Sequence, residues 1–308
     1  MSVKPINYDI VFEPNLTSFT FSGKEKITVD INGITDRLVL NAVDMKIKSC
    51  RVGLLSAKTR LNEKKEELEI ILPKKIKGKA EIYFEFEGIL NDKLAGFYRS
   101  KYTVDGKEKY LATTQFEAAD ARRAFPCWDS PEQKATFDIS FVIDKSLTAV
   151  SNMPIIEEKV TGDKKFVKFD RTPIMSTYLV YLGVGEFESI ESMLGKVKIR
   201  VMTTPGKISS GKLALDYAKR FLDFYQKYFK IDFPLPKIDF IALPDFASGA
   251  MENWGAITFR EAGLLYDEKL TSTATKQYIA EVVSHELAHQ WFGDLVTMEW
   301  WNDLWLNE

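Results

Sequence analysis

From Ile6 to about Phe187 apolar and polar residues alternate with a period of two in short runs, such as Lys26-Ile27-Thr28-Val29-Asp30-Ile31 and Glu81-Ile82-Tyr83-Phe84-Glu85-Phe86. Successive side chains of a strand point to opposite faces, so the pattern predicts strands with one buried face and one wet face. Further runs at 136–143 and 177–184 are separated by Gly, Asn, Asp and Pro, the residues of turns. This half is expected to be an antiparallel β domain. After one more expected strand at 196–203 the period changes. Leu215, Ala218, Leu222, Tyr225 and Phe229 recur at helical spacing and predict an amphipathic helix over 209–230. Asp232-Phe233-Pro234-Leu235-Pro236 stops it, because proline cannot continue the backbone ladder. A strand at 238–243 and a second long helix over about 273–292 follow. The expected fold class is α+β, with an N-terminal β domain at 1–187 and a mixed domain at 188–308.

Composition narrows the function classes. The 308 residues, 45% of them hydrophobic, suffice for sizeable cores in about two domains. The 44 acidic and 42 basic side chains nearly cancel and form no like-charge block, so neither nucleic acid nor an anionic membrane is expected as a partner. No apolar run reaches bilayer length, and the first residues carry no secretory pattern, which makes a cytoplasmic location the default expectation. Cys50 and Cys127, far apart in sequence, are expected to be reduced and buried.

The second predicted helix contains His285-Glu286-Leu287-Ala288-His289. Residues four apart share a helix face, so both imidazoles can meet one Zn²⁺, while Glu286, one residue on, can aim at water beside the metal. These are the only two histidines of the chain. Placed at random, such a pair would stand four apart roughly once in 150 trials, which weighs against two unrelated structural histidines. A catalytic zinc needs three protein donors and one open position, so a further donor must exist. After 18 intervening residues the chain reaches Glu308.

That spacing, read with Trp291-Phe292-Gly293-Asp294 and Trp301-Asn302-Asp303-Leu304-Trp305-Leu306-Asn307-Glu308, resembles the gluzincin aminopeptidases of the aminopeptidase N family. The resemblance implies one zinc per chain held by His285, His289 and Glu308, with Glu286 as general base. It also implies a saddle-like N-terminal β domain followed by the beginning of a thermolysin-like catalytic domain. Within the family the pattern is similar to prokaryotic and archaeal members that trim peptides released by larger proteases.

Gly249-Ala250-Met251-Glu252-Asn253, followed by Trp254-Gly255-Ala256, resembles the exopeptidase motif of the same family, in which the glutamate binds the substrate's α-ammonium. An α-amino group is largely cationic at neutral pH and pairs with a carboxylate, whereas a peptide interior carries no such charge. Fixing the ammonium near the metal would expose only the first peptide bond to attack. Gln115-Phe116-Glu117 and the segment 120–129 resemble the stretch that reaches from the N-terminal domain into the cleft, so Gln115 and Glu117 are expected to help hold the ammonium. Arg122, Arg123 and Asp129 are expected to form a buried network bracing the domain interface. Four of the six tryptophans lie between Trp291 and Trp305 and are expected to pack around the zinc helices.

The resemblance therefore implies peptides with a free N-terminus as substrates, and an N-terminal piece of a longer enzyme. Crowding of Glu117, Glu252, Glu286 and Glu308 in one cleft predicts that in metal-free protein at least one keeps its proton at raised pH, through like-charge repulsion. Three other readings stand beside this one: a zinc endopeptidase, a non-catalytic peptide-binding module on the same fold, and an epoxide-opening relative. For the last, the family more often has a second glycine in place of Ala250.

Overall fold

The computed structural model describes residues 2–308, and among these the strands form three sheets. The first has nine strands. Its order runs Ile155–Thr161, Lys164–Phe169, Thr136–Asp144, Ser2–Asn15, Thr20–Asn41, Glu67–Ile89, Met45–Val52 and Leu55–Ser56, with Lys58–Asn62 also paired to Glu67–Ile89. Along Thr20–Asn41 the buried Phe21, Ile27, Val29 and Ile31 alternate with wetter neighbours, which is the period-two pattern of the sequence. Hairpin-connected strands pair antiparallel as expected. One pairing runs parallel, Asn7 opposite Thr136 through Phe12 opposite Phe141, because these strands are joined by a long excursion instead of a tight turn.

Two strands of this sheet are unusually long, at 22 and 23 residues. Their shared ladder slips twice between Ile31 and Arg37, next to Gly33 at φ 114°. Such irregularities bend a strand and increase its local twist. Where the ladder is regular, glycine sits opposite a ring: Gly23 faces Phe86 and Gly88 faces Phe21. A Cβ built on Gly23 would lie 2.2 Å from the Phe86 ring, and one on Gly88 the same distance from Phe21.

The second sheet, ordered Thr148–Ser151, Leu182–Gly185, Lys107–Gln115 and Gly96–Val104, closes over the first. The core between them is aromatic. Phe12 contacts Phe21, Phe86 and Phe141 of the first sheet, and Phe97 of the second, at centroid separations of 5.9–6.4 Å. Each such ring, fully buried, contributes about 1.5–3 kcal/mol by its removal from water.

The expected strand over 177–184 is replaced by a 3-10 turn, Thr177–Leu179, and a shorter strand, Leu182–Gly185. Side chains take the place of ladder partners here. Ser176 Oγ donates to the Pro131 carbonyl, Thr177 Oγ1 to Asp129 Oδ1, and the Tyr181 amide donates to Asn152 Oδ1. Local alternation carries no information about such distant partners.

The third sheet is mixed, in the order Glu188–Leu194, Val197–Thr203, Lys237–Leu243, Ala256–Arg260 and Ala250–Met251. Its central strands are parallel. Helix α1, Lys212–Phe229, buries Ala214, Ala218 and Leu222 against it and ends at Lys230 in the left-handed conformation. Helix α2, Thr273–His289, starts at Ser272, whose hydroxyl accepts from the Thr275 amide at 3.2 Å. It buries Ile279, Val283, Glu286, Leu287 and His289, so a carboxyl and an imidazole share the face that is otherwise apolar.

Charged and polar side chains join the third sheet to the second. Lys237 Nζ donates to the Ser151 and Gly255 carbonyls at 2.6 and 2.8 Å and pairs with Asp239 at 2.7 Å. Asp239 also receives Arg200 through both oxygens, at 2.6 and 2.7 Å. Asn152 donates to the Leu179 and Trp254 carbonyls, and Tyr98 to that of Asp245.

Candidate metal and substrate site

Helix α2 brings the Nε2 atoms of His285 and His289 to 3.0 Å from each other. Glu308, which follows the 3-10 segment Trp301–Leu306, places Oε2 3.3 Å from His285 Nε2 and 3.7 Å from His289 Nε2. The donor atoms of the three residues lie within 4.8 Å of one another. His289 Nδ1 meets the Phe292 carbonyl at 3.0 Å, which orients the ring and leaves Nε2 as its free donor. His289 is buried and His285 half open, so the cluster has one packed side and one accessible side. Two imidazole nitrogens and a carboxylate oxygen converging on one point are a donor set that suits zinc.

Gly293 shapes the wall behind His289. It stands at φ 136°, and a Cβ there would lie 3.2 Å from His289 Nδ1 and 3.3 Å from the His289 carbonyl oxygen. Both the conformation and the close approach call for glycine.

Glu286 is 5% exposed, and its Oε2 has no hydrogen-bond partner. Burial, then the neighbouring Glu252, Glu308 and Glu117, pushes its carboxyl well above the usual range. Glu252 and Glu117 are each pushed up to about 7. The direction is that of the expected proton retention, but its largest cause is removal from water, with like-charge repulsion second. Glu252 Oε1 and Gln115 Oε1 are buried and unpartnered as well. The structure thus groups Glu117, Glu252, Glu286 and Glu308 electrostatically, with His289 opposing the rise of Glu117. Burial also lowers His285, with His289 adding to the effect.

The segment Gly249–Asn253 is divided in its roles. Ala250–Met251 forms an edge strand on Ala256–Arg260, Gly249 gives its carbonyl to the Arg260 amide, and Asn253 donates to Thr258 Oγ1 at 3.2 Å. Met251 and Asn253 are fully packed, so their side chains support Glu252 and do not face solvent. Glu252 is held from behind by Gln290, a residue the motif reading passed over. Its amide donates to the Glu252 carbonyl at 3.1 Å and accepts from the Gly255 amide at 3.0 Å. Gln290 lies four residues after Glu286, so helical spacing alone puts both on the buried face. Asp294 is fully buried with neither oxygen partnered, and burial beside Glu252 and Glu286 raises it well above the usual range.

Two packing expectations need correction. Of the clustered tryptophans Trp291 is 2% exposed, whereas Trp300 and Trp305 are 51% and 72% exposed, so only part of the cluster packs around the helices. The network of Arg122 with Asp129 and Glu66, and of Arg123 with Asp120 and Asp44, lies within the N-terminal half. It braces the segment 120–129 against the first sheet, and reaches toward the metal cluster through the Asp129–Thr177 hydrogen bond.

The class defined by this fold and this donor cluster agrees with the sequence comparisons. Residues 4–179 match the peptidase M1 N-terminal domain, and residues 213–308 match the peptidase family M1 domain. The chain belongs to peptidase family M1. It is 48% identical to aminopeptidase M1 of Arabidopsis thaliana, over 99% of this chain and 36% of that protein. It is 45% identical to the alanine/arginine aminopeptidase of Saccharomyces cerevisiae and 46% identical to the puromycin-sensitive aminopeptidase of Caenorhabditis elegans, covering 37% and 33% of those proteins. The chain thus spans about a third of the length of these curated relatives. Among the described residues no helix is long and apolar enough to cross a membrane.

Proposed function

We propose that this chain carries the zinc site, the general base and the ammonium pocket of an aminopeptidase that hydrolyses the N-terminal bond of peptides. The observation that supports it most is the convergence of His285, His289 and Glu308 beside an unpartnered Glu286 and a buried Glu252. Zinc held by those three donors would supply Lewis acidity toward the scissile carbonyl and toward water. Glu286, its carboxylate freed of its proton once a cation sits among the three donors beside it, would take a proton from the attacking water and return it to the leaving amine. Glu252 and Glu117, both near 7, ionise fully when a substrate ammonium arrives between them, and Gln115 offers its unpartnered carbonyl oxygen to the same cation. The free backbone edge of Ala250–Met251, with Gly249 before it, is suited to take the extended start of a peptide.

The domain boundary near residue 187 belongs to the same proposal, since the second sheet ends with Leu182–Gly185 and the third begins at Glu188. So does a cytoplasmic setting, which the two free, buried cysteines favour. The test is an aminoacyl-anilide assay with and without chelator, beside cleavage of the same peptide with a free and an acetylated N-terminus. The proposal expects chelator-sensitive activity confined to the free N-terminus. Equal cleavage of the acetylated peptide would point to an endopeptidase instead, and zinc binding without any hydrolysis to a peptide-binding module.

A further inference from the structure

Tyr178 lies in the turn Thr177–Leu179 of the N-terminal half, more than a hundred residues before the metal donors. It is 1% exposed, and its hydroxyl touches two segments that carry donors. The hydroxyl donates to the Gly293 carbonyl at 3.2 Å and accepts from Asn307 Nδ2 at 3.3 Å. Gly293 follows the Phe292 carbonyl that meets His289 Nδ1, and it abuts that ring. Asn307 immediately precedes Glu308, and its other side-chain atom accepts from the Met298 amide at 3.3 Å. The phenol ring packs edge-on against Trp301, at the start of the segment that leads into Asn307.

We infer that Tyr178 is a positioning residue for metal binding: one buried hydroxyl ties the loop behind His289 to the residue before Glu308 and so sets the separation of those two donors. The hydroxyl is presented from a fixed frame. Thr177 is bonded to Asp129, Ser176 to the Pro131 carbonyl, and Asp129 to Arg122. Without that tie, ordering of residues 307–308 falls on the metal, and its entropic cost is subtracted from binding. The inference rests on the zinc reading above and adds to it a role for the N-terminal half.

The test measures zinc affinity of the chain by competition with a chromophoric chelator, for wild type, Tyr178→Phe and Tyr181→Phe. Tyr181 is a close control, since it is equally buried and its hydroxyl pairs with Thr113 Oγ1 at 3.0 Å, away from the donors. Tyr178→Phe is expected to weaken zinc about tenfold and to alter the visible absorption of the cobalt-substituted chain, which reports donor geometry. Tyr181→Phe is expected to leave both at wild-type values, whatever it does to unfolding. Unchanged affinity and cobalt spectrum in Tyr178→Phe would overturn the inference, as would an equal loss in both variants. If the wild-type chain takes up no zinc, the metal assignment itself fails and carries this inference with it. A wild-type chain that binds zinc beside an unaffected Tyr178→Phe removes the role of Tyr178 alone.

Discussion

Replacing Asp239 by asparagine should destabilise the chain far more than replacing its partner Lys237 by methionine, although both remove the same ion pair. Asp239 is completely buried, and Lys237 is 4% exposed. Burial alone would raise the Asp239 carboxyl, but Lys237 and Arg200 together hold it below the usual carboxylate range. Burial also pulls Lys237 down to about 8, against the attraction of Asp239, so at pH 7 it remains mostly an ammonium with three acceptors for its three hydrogens. In Asp239→Asn the Lys237 amine, drawn down to about 8 even with Asp239 beside it, must either give up its proton or stay charged and unpaired inside the protein, and Arg200 loses its partner as well. Losing one partner of a buried pair costs about 3–5 kcal/mol, because the remaining charge stays desolvated. In Lys237→Met the carboxylate keeps both bonds from Arg200, and only the Ser151 and Gly255 carbonyls lose a donor, at a cost of about 1–3 kcal/mol. Urea unfolding followed by tryptophan fluorescence measures the difference. With a slope of about 3 kcal/mol/M, Asp239→Asn should lower the midpoint by about 1–1.7 M and Lys237→Met by about 0.3–1 M. Equal shifts in the two variants, or a larger one in Lys237→Met, would refute the assignment of the cost to an orphaned buried charge.

Other outcomes follow from the same geometry. Gly293→Ala forces a side chain into φ 136° and against His289 Nδ1, so it should cost about 1–3 kcal/mol in strain and weaken zinc binding, read by unfolding and by chelator competition. Gly23→Ala collides with the Phe86 ring and should destabilise by about 1–3 kcal/mol in thermal unfolding, with partial rescue by Phe86→Leu. In metal-free chain Glu117 and Glu252 sit near 7 against an ordinary value of 4.5, so the folded state binds more protons between those limits. Their contribution to stability is therefore complete below about 4.5 and is lost as pH rises through about 7. Glu252→Gln should flatten that decline in urea midpoints measured with chelator present. Glu286→Gln should keep zinc content by metal analysis while turnover falls by about two to four orders of magnitude.

The strands of the N-terminal half, both long helices and the donor spacing were legible because each is local. A period of two or 3.6 and a four-residue histidine interval are properties of a single element. The Thr177–Leu179 turn was not legible, since its hydroxyls bond to Asp129 and Pro131, which no window around residue 177 contains. Glu252 could be singled out from its motif, but Gln290, which holds its carbonyl, could be found only by projecting the helix face through Glu286. Nothing in local sequence marks Tyr178, or the bonds of Lys237 to the Ser151 and Gly255 carbonyls, because those partners come from other sheets and loops. The tryptophan cluster divides for a related reason: residue type favours burial, but exposure is decided by what lies opposite, and within this chain, about a third of its relatives' length, Trp291 is covered while Trp300 and Trp305 are exposed.

The central claim is that His285, His289 and Glu308 together hold one zinc ion. X-ray absorption at the zinc edge, on chain loaded with one equivalent of the metal, tests it without reference to turnover. The account predicts two imidazole nitrogens at about 2.0–2.1 Å with the remaining ligands oxygen, and loss of one imidazole in His289→Ala. Sulfur at about 2.3 Å, or a spectrum unchanged by His289→Ala, would contradict it.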